Sequence, residues 1–261
     1  MRADGCSSCA LAHVANLQRL GLRCDGDDVI VALAGNPNTG KSTVFNAVTG
    51  LRQHVGNWPG TTVARAQGAY RYRGVVHRVV DLPGTYSLLT TSSDEDAARD
   101  FLLFGDPDVT VVVVDATRLE RNLNLVLQVL QITNRVVVAL NLMDEAARHG
   151  LRIDVRHLSR ELTVPVVPMS ARRAEGVSDL LEAVASTAAG ITVGRSRTLK
   201  LPASVATAVE TLTDRLSADF AGLGNARWVA LRLPRRREHH EGRRRRRLGD
   251  VHAAAQSRTA S

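Results

Sequence analysis

The segment GNPNTGKSTVFNAVTG, residues 35–50, has the residue types and spacing of a phosphate-binding loop. A glycine is followed after four residues by Gly-Lys-Ser, and the segment stands between a stretch typical of a buried strand and a stretch typical of a helix. Backbone amides and the helix amino end would contact the phosphates, Lys41 would reach the terminal phosphates, and the Ser42 oxygen would ligate magnesium. The predicted nucleotide contacts in this loop are Gly35, Asn36, Pro37, Asn38, Thr39, Gly40, Lys41, Ser42 and Thr43.

Lys41 supports this interpretation because the chain otherwise uses arginine for its positive charges. Of the 34 lysines and arginines, only Lys41 and Lys200 are lysines. The alternative interpretation is a glycine-rich turn that arose by chance. The order of strand, loop and helix favours the phosphate loop.

A second motif, Asn-Leu-Met-Asp at residues 141–144, indicates which base is bound. It follows an apolar strand, at the end where ligands of such sheets bind. The Asp144 carboxylate could accept two hydrogen bonds from guanine N1 and N2, a pair of donors that adenine lacks. Asn141 would brace the loop, and a backbone amide of the later MSAR segment could meet guanine O6. Alone, the motif also fits an ordinary strand-to-helix turn, but together with the phosphate loop it predicts GTP. The predicted base contacts are Asn141, Leu142, Met143, Asp144, Ser170, Ala171 and Arg172.

Two segments between these motifs could respond to the γ-phosphate. In Asp-Leu-Pro-Gly at residues 81–84, Asp81 could hold magnesium through water and the Gly84 amide could sense the γ-phosphate. In the upstream segment GNWPGTTV, two threonines lie where a mobile loop could close on the magnesium ion. Trp58 and Pro59 of that segment fit a packed turn as well. The predicted contacts of the two segments are Gly60, Thr61, Thr62, Asp81, Leu82, Pro83 and Gly84.

These motifs need a scaffold, and the chain supplies one from residue 29 onward. Short β-branched runs alternate with helical patterns, and two of the runs form a hairpin around Gly74. Continuous apolar strands imply burial on both faces, as in a mostly parallel sheet covered by helices. We predict an α/β domain of the P-loop NTPase type, similar to Ras-like GTPases, over residues 28–194. Two amphipathic helices would form a partial helical spacer over residues 195–233.

The formal charge of +8 is concentrated at the carboxyl end. Residues 234–261 contain nine arginines and three acidic residues, which accounts for +6 of the total. This segment has no hydrophobic period and is predicted to be disordered. It is either out-of-frame translation of a truncated or frameshifted gene, or a basic tail that touches RNA or anionic lipid. We expect a cytoplasmic chain, because no apolar run is long enough to span a bilayer and no signal peptide is recognisable.

All three cysteines lie in a predicted extension, residues 1–27. The body therefore has no disulfide framework, which fits a reducing compartment. Cys6 and Cys9, together with His13 and Cys24, could hold iron or zinc. The alternative is that they are solvated thiols on a flexible extension.

Taken in order, the four motifs resemble those of the GTPase domain of the bacterial ferrous iron transporter FeoB. The versions VGNWPGTTV, DLPGTYSL and NLMDEA are more specific than generic GTPase motifs. The resemblance extends from the first predicted strand to the end of the spacer. It implies that Ser42 and Thr62 ligate magnesium and that Asn38 ligates potassium. Together with Lys41 and Gly84, Asn38 and Thr62 would be the catalytic residues.

The rate of hydrolysis depends on the residue after Asp-x-x-Gly. Here it is Thr85, whereas many switch GTPases have a glutamine that orients the attacking water. We therefore expect slow hydrolysis. The resemblance implies that potassium supplies positive charge at the γ-phosphate, as an arginine finger does elsewhere.

The resemblance also implies partners and a location. The family acts at the cytoplasmic face of the bacterial inner membrane, where GTP binding gates or regulates Fe(II) transport. The implied partners are a membrane permease portion, if another chain supplies it, and a small regulator similar to FeoA. No specific nucleic acid is expected. The alternatives are a soluble regulatory GTPase that acts on the ribosome or RNA, and a nucleotide-binding scaffold without useful turnover.

Overall fold

The computed structural model describes residues 28–50, 53–58, 63–89, 92–192, 194, 201–219 and 225–231. The predictions for the cysteine-containing extension and the arginine-rich tail lie outside these residues, as do those for Gly60, Thr61 and Thr62. The described residues fall into two compact units that divide near residue 198.

The first unit is built on one seven-stranded sheet with the order β2-β3-β4-β1-β5-β6-β7. Strands β4, β1, β5, β6 and β7 are parallel to one another, while β2 pairs with β3, and β3 with β4, in antiparallel register. The strands are β1 (Val29–Gly35), β2 (Gln53–Asn57), β3 (Ala64–Tyr72), β4 (Val75–Asp81), β5 (Val109–Asp115), β6 (Val136–Asn141) and β7 (Val166–Pro168).

Helices lie between and after the strands along the chain. They are α1 (Lys41–Thr49), α2 (Ser93–Phe104), α3 (Leu119–Leu130), α4 (Met143–Arg148), α5 (Val155–Leu162) and α6 (Val177–Ala188), with 3₁₀ turns at Ala116–Arg118 and Ala171–Arg173. Helix α1 ends at Gly50, which adopts φ 63° and donates its amide to the Asn46 carbonyl. A glycine accepts this left-handed conformation without steric cost.

The predicted α/β architecture is confirmed. Every residue of β5 and β6 is buried, and so are the last six residues of β1, as continuous apolar strands require. Val44 and Phe45 of α1 and Leu180 and Val184 of α6 pack with these strands in one apolar core. Because this core fixes the carboxyl ends of β1, β4 and β6, it positions the loops that follow them.

The hairpin around Gly74 is also confirmed, since β3 and β4 pair up to a turn at Arg73 and Gly74. Both turn residues have positive φ, 48° and 84°, as a two-residue hairpin turn demands. Strand β2 and helix α2 were not predicted. The β2 segment QHVGN alternates weakly, and its exposed residues His54 and Val55 give it no buried face to detect.

The second unit contains helix α7 (Ala203–Asp219) and a helix at residues 226–231. These correspond to the two helices predicted for the spacer. Among the described residues, no helix combines the length and the apolar character needed to cross a membrane.

Candidate nucleotide-binding site

The phosphate loop leaves β1 at Gly35 and enters α1 at Lys41. Two of its residues have left-handed backbone conformations, Asn38 with φ 66° and Gly40 with φ 78°. A Cβ on Gly40 would also lie 2.5 Å from Asn141 Nδ2. Glycine is therefore required at position 40 both by the backbone angle and by the close approach of the base loop.

Asn141 joins the phosphate loop to the base loop. Its Nδ2 donates to the Thr39 carbonyl at 3.0 Å, and its Oδ1 accepts from the Ala171 amide at 3.0 Å. The residue is 1% exposed, so both bonds form away from water. Asn141 therefore ties the Thr39 carbonyl to the Ala171 amide.

The base loop is held by further backbone contacts. Leu142 adopts φ 62° ahead of α4, and the Asp144 amide donates to Ser170 Oγ at 3.2 Å. The Asp144 carboxylate lies 3.6 Å from the guanidinium of Arg148, which is mostly exposed. The structure thus brings Ser170 of the MSAR segment next to the Asp144 backbone. The Ala171 amide, one of the amides considered for guanine O6, donates to Asn141 instead, while Arg172 is exposed in the following turn.

Lys41 and Asp81 form an ion pair between the phosphate loop and the end of β4. Both side chains are largely buried. Burial raises the pKa of the Asp81 carboxyl, and the adjacent Lys41 ammonium opposes this increase. The residues predicted to meet phosphate and magnesium therefore lie within contact distance of each other.

The segment after Asp81 lies against the phosphate loop. A Cβ on Gly84 would meet Pro37 at 3.5 Å, and the Thr85 amide donates to the Gly35 carbonyl at 3.2 Å. The Thr85 hydroxyl is buried and lies 2.6 Å from the Ser87 carbonyl, so it is engaged within its own turn. Thr85 therefore does not present a group comparable to a water-orienting glutamine.

Trp58 is a packed residue, in agreement with the packed-turn alternative. It is 3% exposed, its ring meets Phe101 of α2 edge-on with centroids 5.4 Å apart, and Arg65 lies over its face at 5.4 Å. Burial lowers the pKa of Arg65 from its ordinary value. The Trp58 amide donates to the Val63 carbonyl at 2.9 Å.

The donor atoms suit the predicted cations. Ser42 is exposed at the start of α1 and Asp81 ends β4, so a hydroxyl and a carboxylate, both hard oxygen ligands of the kind magnesium prefers, border the phosphate loop. Asn38 is exposed at the outer turn of the loop, and its amide oxygen is a ligand atom that suits potassium. In the described ranges, no three or more His, Cys, Asp or Glu side chains cluster in a way that could hold a metal ion.

Of two buried polar residues in the site region, Asn36 is among the predicted phosphate-loop contacts, whereas Gln128 was missed by the sequence analysis. Asn36 is buried, and neither of its side-chain atoms has a hydrogen-bond partner within the described part of the chain. Gln128 of α3 is buried and accepts from the backbone of residue 88. No sequence signal marked Gln128, since a single glutamine in an amphipathic helix ordinarily faces water.

A glycine-rich loop between a strand and a helix, on a mostly parallel sheet with the base loop at the same edge, defines a P-loop NTPase. The comparison with known families is more specific. The family model described as "Ferrous iron transport protein B" matches residues 29–184, more than half of the chain. The chain therefore belongs to this family and contains its G domain.

Individual relatives agree with this assignment. The Fe(2+) transporter FeoB of Salmonella typhimurium is 48% identical over 158 residues, which cover 59% of this chain and 20% of the transporter. The G domain of T. maritima FeoB is 44% identical, with a TM-score of 0.59, over 61% of this chain and 98% of that one. The cytosolic domain of the same transporter in its GMPPNP form is 38% identical, with a TM-score of 0.70, over 78% and 80% of the two chains. The chain thus spans about a fifth of the length of the curated relatives that it matches.

Proposed function

We propose that this chain binds GTP, hydrolyses it slowly, and regulates ferrous iron transport through its nucleotide state. The observation that carries the proposal is the double hydrogen bond of Asn141, which ties the phosphate loop to the loop containing Asp144. A guanine held by Asp144 would thereby stand at a fixed distance from phosphates held by Lys41. The GMPPNP form of the T. maritima relative supports the choice of a nucleoside triphosphate.

Each predicted residue has a defined role in this proposal. Ser42, Thr62 and Asp81 would hold magnesium, and Asn38 would hold potassium. When bound, the two cations neutralise charge that develops on the phosphates during hydrolysis. Lys41 would exchange its contact with Asp81 for the terminal phosphates, and the Gly84 amide would donate to the γ-phosphate.

The partners belong to the proposal as well. Because the relatives are transporters of which this chain spans about a fifth, a membrane permease portion is the expected recipient of the GTP signal. The chain would act on it from the cytoplasmic face of the inner membrane. A small regulator similar to FeoA is a further expected partner.

Base specificity tests the proposed role of Asp144. The variant Asp144→Asn should lose affinity for GTP by about 100-fold, because the new amide donates where guanine N2 also donates. It should gain affinity for XTP, whose O2 accepts from the amide. Calorimetry with GTP, XTP and ATP measures this exchange, and Glu145→Gln, the neighbouring acidic residue, is the matched control. Unchanged GTP affinity in Asp144→Asn would contradict the assignment.

Salt dependence tests the potassium site. GTP turnover by the full chain should be faster in potassium chloride than in sodium chloride at equal ionic strength, and Asn38→Ala should remove the difference. The affinity for GDP, measured in parallel, reports whether that variant retains its binding site. Equal turnover in the two salts would refute the potassium site while leaving GTP binding intact.

A further inference from the structure

A buried glutamine on α3 contacts the segment that follows Gly84. Gln128 is 6% exposed and lies among Leu125, Val126 and Val129, which are fully buried on the same helix. Its Oε1 accepts from the Leu88 amide at 2.7 Å and lies 3.2 Å from Ser87 Oγ. A polar side chain in such a position requires partners, because an unpaired buried amide is strongly unfavourable.

The remaining atoms of Gln128 and its partners are also engaged. Its Nε2 donates to Asn124 Oδ1 at 3.3 Å, which fixes the orientation of the amide. On the other side, Ser87 Oγ accepts from the Leu89 amide at 3.0 Å. The Leu88 side chain is 2% exposed, so this point of the segment is anchored by an apolar contact as well as by the hydrogen bond.

The segment 84–88 is therefore held at both ends. At its start, Gly84 lies against Pro37 and the Thr85 amide donates to Gly35 of the phosphate loop. At its end, four residues further on, Gln128 holds the Leu88 amide. Between these points, the Thr85 hydroxyl closes a tight turn with Ser87. A displacement at one end of so short and so internally bonded a segment must appear at the other end.

We propose that Gln128 is a positioning residue for the Gly84 amide. By fixing Leu88 it sets the path of residues 84–88, and with it the place where the Gly84 N–H meets the γ-phosphate. Gln128 itself touches neither nucleotide nor cation, and its effect passes through the backbone of the segment. This inference rests on the proposed function, since it assumes that Gly84 acts on the γ-phosphate.

If Gln128 positions the Gly84 amide, its replacement should change the rate of GTP turnover without changing the affinity for GDP. GDP has no γ-phosphate to meet Gly84, so its affinity should not depend on Gln128. Hydrolysis depends on the position of the Gly84 amide, so its kcat should fall when the acceptor at residue 128 is removed. General damage to the fold would instead weaken GDP binding together with turnover.

The test compares Gln128→Met, which keeps length and burial but removes the acceptor, with Gln128→Glu, which keeps an acceptor oxygen. In the full chain, Gln128→Met should lower the kcat of GTP hydrolysis about fivefold to tenfold, the value of one such hydrogen bond. GDP affinity should stay within about twofold of the original, and Gln128→Glu should recover most of the rate. Leu127→Ala, an exposed neighbour on α3, is the matched control and should have no effect.

Hydrogen exchange at the Leu88 amide gives a second readout that needs no nucleotide. Exchange at this amide should accelerate in Gln128→Met and stay slow in Gln128→Glu and Leu127→Ala. If the original chain hydrolysed no GTP, the proposed function would fail, while this exchange pattern would still test the contact. An unchanged kcat in Gln128→Met, or a parallel loss of GDP affinity, would overturn the positioning role.

Discussion

Two buried asparagines of the nucleotide site should differ in how much stability they lose on replacement by alanine. Asn141 and Asn36 are both almost fully buried, and both border the phosphate loop. Asn141 makes two hydrogen bonds of 3.0 Å, whereas neither side-chain atom of Asn36 has a partner among the described residues. The pair therefore separates the effect of hydrogen bonding from the effect of side-chain volume.

The magnitudes follow from these contacts. Asn141→Ala removes two bonds and leaves the Thr39 carbonyl and the Ala171 amide buried without a partner. At about 1 to 3 kcal/mol for each unsatisfied group, the free energy of unfolding should fall by about 2 to 6 kcal/mol. Asn36→Ala removes an amide that is already unsatisfied, and the small space it leaves offsets that gain. Its effect should stay within about 1 kcal/mol in either direction.

Urea unfolding, followed by circular dichroism in the absence of nucleotide, measures both effects on the same scale. The two variants should have the same slope with urea and different midpoints. Calorimetry with GDP gives a second readout, in which Asn141→Ala should bind more weakly because the base loop is no longer tied to the phosphate loop. Equal loss of stability in the two variants would show that side-chain volume, rather than hydrogen bonding, determines how much Asn141 contributes to the free energy of unfolding.

Two further predictions concern pH and backbone. Burial lowers the pKa of His77 below 6.5, and the Val75 carbonyl and Asp108 partly oppose this shift. Because the unfolded chain then binds the proton more readily than the folded chain, the free energy of unfolding should decrease as the pH falls below about 6.5. His77→Phe should flatten this dependence in urea unfolding at pH 7.5 and 5.5, and an unchanged slope would contradict the assignment. Gly40→Ala should weaken GTP binding at least tenfold in calorimetry, because the added Cβ would lie 2.5 Å from Asn141 Nδ2. Near-normal binding would show that the base loop can shift to accommodate the methyl group.

The fold and the main loops of the site could be predicted because their signals are local. Continuous runs of β-branched residues mark β5 and β6. Glycines mark the phosphate loop before α1, and a further glycine marks the end of that helix. The partners of Asn141 lie 102 residues before it and 30 residues after it, yet they were accessible because each follows a recognisable strand.

The contacts that could not be predicted depend on side chains whose types carry no signal. Gln128 meets residue 88 across 40 positions, and nothing in an amphipathic helix distinguishes a buried glutamine from a solvated one. The ion pair of Lys41 and Asp81 was missed for another reason. The sequence assigns each of them to a ligand, and only the packed loops show that they also attract each other.

The packing of Trp58 makes its intrinsic fluorescence a probe of the region around this residue. The chain has two tryptophans, Trp58 and Trp228, and only Trp58 lies in the unit that contains the phosphate loop. Indole emission shifts to longer wavelength when the ring leaves an apolar contact such as that with Phe101. In a Trp228→Phe background, stopped-flow fluorescence can therefore report any change around the Trp58 ring as nucleotide arrives, without any attached label.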